Sequence, residues 1–94
     1  MNENSEQLRA LVVETRIFLA RPGNSFDWSG WDNAKEALDE FDALVTAVLE
    51  GNDRAARTRL KLYFSPTGPI QEVSLSSGWG EEFVVLANKV DAIW

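Results

Sequence analysis

The side chains with the most chemistry to offer in this chain are carboxylates. Asp32, Glu36, Asp39, Glu40 and Asp42 fall in one short stretch with Lys35 as its only base, and Asp27 and Asp53 extend the acidic run at either end. Asp32 and Glu36, like Glu36 and Glu40, stand four residues apart, where like charges destabilise a helix by roughly 0.2–0.5 kcal/mol per pair. A pattern with that cost has two accounts. The next segment carries Arg54, Arg57, Arg59 and Lys61 without an internal acid, so two helices can lie side by side and pair their charges, each exposed pair contributing under about 1 kcal/mol. Alternatively the acidic face is kept for a basic partner protein. Paired carboxylates also serve glycoside hydrolysis, but a chain this short is hard pressed to build both a core and a substrate cleft. No D-x-D-x-D-G loop is present, so no calcium site of that kind is expected.

The residue types that are missing narrow the chemistry further. There is no histidine and no cysteine. Thiol chemistry, zinc sites with nitrogen or sulfur ligands and Ser-His-Asp triads are excluded. Few groups remain for general acid–base work, and the reading is non-enzymatic, with no catalytic residue, no cofactor and no metal. Nucleotide-binding glycine patterns are absent.

Aromatic residues are the second resource: four Trp, five Phe and one Tyr in 94 residues. Ser-Gly-Trp occurs twice, at Ser29–Trp31 and Ser77–Trp79. In both places serine can cap, glycine can turn the chain, and tryptophan can anchor the first helical turn in the core. Trp28 lies in a polar loop outside any apolar stripe and is the tryptophan best suited to binding, where that residue is enriched. Two sets of site residues follow. Asp27, Trp28, Asp32, Glu36, Asp39 and Glu40 would meet a basic partner. Trp31, Tyr63 and Trp79, with Trp28, would line an apolar pocket for a small molecule.

The elements that must position these residues read mainly as helices. Leu8, Leu11, Val12, Thr15, Phe18 and Leu19 recur at helical spacing over 6–20, with Asn4 or Ser5 as cap, and Arg21-Pro22-Gly23-Asn24 stops the run. Trp31, Ala34, Leu38, Phe41, Val45 and Val48 mark a second helix ending near Glu50, with Ser29 and Asp32 at capping-box spacing. Residues 53–64 and 70–75 are ambiguous. Leu60, Leu62 and Phe64 alternate as in a strand, while Ala56, Leu60, Tyr63 and Phe64 suit a helix; a hairpin over about 60–75 is the alternative, and helix is preferred on propensity. A last helix begins near Trp79 or Gly80, with Ser77 as cap and Glu81 and Glu82 in its first turn. The fold expected is all-α, a compact bundle of four main helices with a short fifth helical segment, forming a single domain over 1–94; the alternative is α+β.

Charge and hydropathy bound the partners. The net charge of −6 and pI near 4.5 favour basic partners and disfavour nucleic-acid phosphates. No apolar run reaches the roughly 18 residues of a membrane span. The polar, acidic N-terminal residues lack the basic and apolar regions of a secretory signal, and the absence of cysteine fits a reducing cytoplasm. In size and charge the chain is similar to small acidic helical proteins that neutralise bacterial toxins, a likeness of class that no motif carries. The function expected is a protein-interaction module, an inhibitor or immunity-like binder of a basic protein. A small-molecule-binding domain is one alternative. A homodimer joined through Val13, Ile17, Leu62 and Val85, which lie off the main stripes, is another.

Overall fold

The structure, a computed structural model, describes residues 3–27, 29–51, 54–66 and 68–93, with side chains from Glu6 onward. Five helices account for most of it: α1 Glu3–Leu19, α2 Ala34–Gly51, α3 Arg54–Tyr63, α4 Pro69–Ser77 and α5 Gly80–Ile93. No strand occurs among the described residues. Each helix packs on the next in sequence and α5 closes the ring on α1. The radius of gyration, 12.5 Å, is what a single close-packed body of this length requires.

The hairpin alternative is corrected. Residues Leu60, Tyr63 and Phe64 are buried while Leu62 is exposed, and Ile70, Val73 and Ser74 are buried while Leu75 is exposed. Burial at steps of three and four, with the alternate leucines facing water, is the helical period. Pro69 opens α4 at its first position, where a missing N–H costs nothing, and Gly68 precedes it as cap.

Boundaries moved where the capping side chain differs from the one expected. Helix α1 starts at Glu3, so Asn4 and Ser5 lie inside it. Helix α2 begins at Ala34: the Asn33 side-chain oxygen accepts the Glu36 N–H at 2.9 Å, and the Asn33 carbonyl accepts the Ala37 N–H. The α2 cap is Asn33 rather than Ser29. Ser29 instead closes a turn, donating to the Phe26 carbonyl at 2.7 Å and accepting from the Trp31 N–H at 3.1 Å. Ser77 ends α4 rather than capping α5; the Trp79 carbonyl accepts the first α5 bond, from Phe83. The cap expected at Asp53 lies outside the described residues.

One apolar core runs through all five helices, from Leu8 and Leu11 on α1 through Phe41, Leu60 and Ile70 to Leu86 and Val90 on α5. Trp79 is among its most completely buried side chains. Its ring stacks on Phe18 at 5.0 Å, which ties the start of α5 to the end of α1. The buried aliphatic hydroxyls of Thr15 and Ser74 each donate to a carbonyl one turn back. Among the described residues no buried side-chain polar atom is left without a partner, as a stable interior requires. No helix of the described residues is long and apolar enough to cross a membrane.

Candidate functional site

The loop between α1 and α2 is held from both sides. Asn24 donates to the Phe18 and Leu19 carbonyls at 2.8 and 3.1 Å, satisfying the exposed end of α1, and its side-chain oxygen accepts the Trp79 indole N–H at 3.0 Å. The Ser25 N–H donates to the Ser77 hydroxyl at 2.9 Å. One amide thus joins the end of α1, the loop and the start of α5. So anchored, the loop and the head of α2 enclose an open hollow of about 660 Å³, with Phe26 and Trp31 in its wall and Asp27, Asp32 and Asn33 around it. Asn33 also borders a shallower hollow along α2, lined by Lys35, Glu36, Asp39 and Glu40. Asn33, the α2 cap, is common to the lining of both hollows.

The acids of α2 divide by direction, since residues 100° apart along a helix face different neighbours. Asp42 turns to α1 and pairs with Arg16. Glu40 turns to the loop and α3: its carboxylate accepts the Trp31 indole N–H and the Tyr63 hydroxyl, the latter at 3.2 Å. Glu36 and Asp39, and Asp32 just before the helix, are exposed, with Asp39 held by Lys35 at 2.7 Å. That neighbour raises the Lys35 ammonium above its ordinary value, through the hydrogen bond first and the charge second. Helices α2 and α3 pack together, and the Glu40 carboxylate meets α3 through the Tyr63 hydroxyl.

Around Glu40 the aromatic residues assemble in part. Trp31 and Tyr63 meet edge to face at 5.6 Å, and both are buried. Burial raises the Tyr63 hydroxyl above its ordinary pKa, the Glu40 charge and hydrogen bond add to that, and Arg59 opposes it. Trp79 stands elsewhere, on Phe18 and Asn24. The pocket expected from Trp31, Tyr63 and Trp79 is thus divided. Trp31 walls the loop hollow, Tyr63 borders a smaller one between α2 and α3, and Trp79 lines neither. Trp28, named for both sites, lies outside the described residues. Among these residues no group of three or more acidic side chains is placed to hold a metal ion.

Two residues that organise the site were missed from sequence. Asn24 reads from sequence only as part of a helix stop; its side-chain amide is one of the groups that can satisfy orphan helix carbonyls. The signal for Asn33 is its place immediately before the apolar run, three residues ahead of Glu36. No family model matches the chain, and no curated protein and no solved structure matches it.

Proposed function

We propose that the protein is a non-enzymatic interaction module whose acidic surface, formed by the loop and α2, receives a basic partner protein. The observation that carries this reading is the junction at Asn33. That residue lines both the loop hollow, with Asp27 and Asp32, and the hollow along α2, with Lys35, Glu36 and Asp39. A connected acidic surface on anchored backbone attracts a positively charged protein from a distance and orients it on arrival. An inhibitor that covers a basic functional surface is one form such a module takes. Glu40 has a supporting part, since its oxygens already serve Trp31 and Tyr63. A cysteine-free chain suits a reducing cytoplasm, and we place its activity there.

The small-molecule reading draws less support. Trp31, Tyr63 and Trp79 are spent in packing, and the largest hollow described above is open and edged by polar side chains, unlike the enclosed apolar pockets that hold drug-sized ligands.

A capture experiment tests the proposal. Immobilised protein is exposed to lysate of its own source at low ionic strength, then washed at high ionic strength. A basic protein retained in the first step and released in the second is the expected result, because screening shortens the reach of surface charge. The combined variant Asp27→Asn, Asp32→Asn, Glu36→Gln should then associate with the isolated partner about tenfold more slowly or worse, with an unchanged melting curve. Capture that ignores both salt and these substitutions would rule the acidic surface out.

A further inference from the structure

Asparagine is among the chemically labile side chains, and it is most labile before a small residue. Asn24-Ser25 is such a pair. The Ser25 backbone nitrogen, once it loses its proton, can attack the carbonyl carbon of the Asn24 side chain. The new C–N bond closes a five-membered succinimide, and the amide nitrogen takes up a proton and leaves as ammonia. Water then opens the ring at either carbonyl and returns a proton to the Ser25 nitrogen, which leaves aspartate or isoaspartate at position 24. The net reaction converts amide and water into carboxylic acid and ammonia, with no change of oxidation state. The backbone around the pair favours it too. Asn24 lies in the loop after α1, preceded by Gly23 at φ 86° with open space where a Cβ would stand.

The fold occupies the groups that this reaction uses. Asn24 Nδ2 donates to the Phe18 and Leu19 carbonyls, and Oδ1 accepts from the Trp79 indole. The Ser25 N–H donates to Ser77 Oγ at 2.9 Å, which keeps the nucleophile protonated and engaged with the end of α4. Attack requires these bonds to break, and Trp79 holds them closed, since it is buried and stacked on Phe18. We infer that Asn24 is a spontaneous deamidation site gated by this clasp between the end of α1 and the start of α5. It is silent while the clasp is closed and reacts when the clasp opens. The product does not restore the clasp. A carboxylate has no N–H for the two α1 carbonyls, and it sets a negative charge at the negative end of the α1 dipole. An isoaspartyl link also inserts an extra carbon into the backbone. Each event therefore makes a reversible local opening permanent, so position 24 records how often the molecule has opened and limits how long it stays closed.

Peptide mapping by mass spectrometry during incubation in mildly alkaline buffer, with and without urea, tests this. Asn4 is also followed by serine and supplies the reference: in urea, Asn4 and Asn24 should convert at comparable rates. In buffer Asn24 should convert at least about a hundredfold more slowly than in urea, because only the rare opened form reacts. Trp79→Phe keeps a ring against Phe18 but removes the indole N–H, and Ser77→Ala removes the acceptor of the Ser25 N–H. Each should speed conversion in buffer severalfold or more and leave the rate in urea unchanged. Asn24→Asp, which stands in for the aspartate product, should lower the urea midpoint. The proposal is overturned if Asn24 survives urea while Asn4 converts, if conversion in buffer is as fast as in urea, or if the rate in buffer ignores both variants. An Asn24→Asp chain with the wild-type midpoint overturns the claim that the product fails to restore the clasp.

Discussion

At the scale of single residues, the Glu40 carboxylate governs what its aromatic neighbours can do. It accepts from Trp31 and Tyr63 together, and Tyr63 is the sole tyrosine of the chain, so its ionisation can be followed by phenolate absorbance without ambiguity. The titration should give a pKa above the ordinary value of about 10, because burial and the adjacent carboxylate both disfavour the phenolate. Glu40→Gln should bring it part of the way back, leaving the larger effect of burial. A phenol whose folded pKa stands above its unfolded value adds stability that is complete below about pH 10 and fades as pH rises through the folded value. Unfolding free energy measured by denaturant should therefore fall on the alkaline side of pH 10 and fall less steeply in Glu40→Gln. An ordinary tyrosine titration in the wild-type chain would contradict this arrangement. The Glu40 cluster was only half legible from sequence: both the acid and the aromatics were singled out, but for separate sites. Contact between residues 23 apart depends on how α3 packs against α2, which periodicity along either helix leaves open.

Helix ends decide the next scale. The Asn33 cap satisfies an α2 N–H that has no helical partner, so Asn33→Ala should lower stability by about 1 kcal/mol. Asp32→Ala, one residue earlier, should change it by no more than about 0.5 kcal/mol. Urea melts of the two variants distinguish the observed cap from the Ser29–Asp32 box expected from spacing. Two glycines make a second contrast, for different reasons. Gly78 ends α4 at φ 86° with open space around it; alanine there should cost about 1–2 kcal/mol of backbone strain. Gly68 has an ordinary φ of −83°, but a Cβ there would sit 2.3 Å from the Leu62 carbonyl oxygen and 2.8 Å from that of Tyr63. Because backbone blocks it, Gly68→Ala should cost about 1–3 kcal/mol or more through displacement of α3 from α4. The repeated Ser-Gly-Trp also makes sense at this scale. Both glycines have positive φ, 90° at Gly30 and 86° at Gly78, and both tryptophans that follow are buried. In each copy the chain reverses and then drives an indole inward.

For the whole molecule, closure of the ring rests on the contact between the end of α1 and the start of α5. Trp79 supplies it by stacking on Phe18 and donating to Asn24. Trp79→Ala should cost about 3–5 kcal/mol, a large share of the roughly 5–15 kcal/mol that holds a domain folded. Calorimetry should show a transition lowered by many degrees or lost. A small shift would mean that the other four interfaces suffice to define the fold. Asn24→Ala is milder, since it leaves the Trp79 N–H buried without an acceptor, at about 1–3 kcal/mol.

The sequence by itself determined that the chain is helical, where each apolar stripe runs, and that histidine and thiol chemistry are unavailable, because period and composition are properties of the linear chain. The stripes of α1, α2 and α5 were readable for that reason, and so was the excess of acid on α2. Tertiary structure alone decided the rest. It resolved residues 60–63 and 69–75 as parts of two helices, because both faces of each segment could be judged only against the core they meet. It sent Asp42 to Arg16 and Glu40 to Trp31 and Tyr63, and left Asp32 and Glu36 to solvent. Which acid is spent internally and which remains for a partner follows from the direction each side chain takes once its helix has been rotated to bury its apolar face, and that rotation is fixed by neighbours far away in sequence.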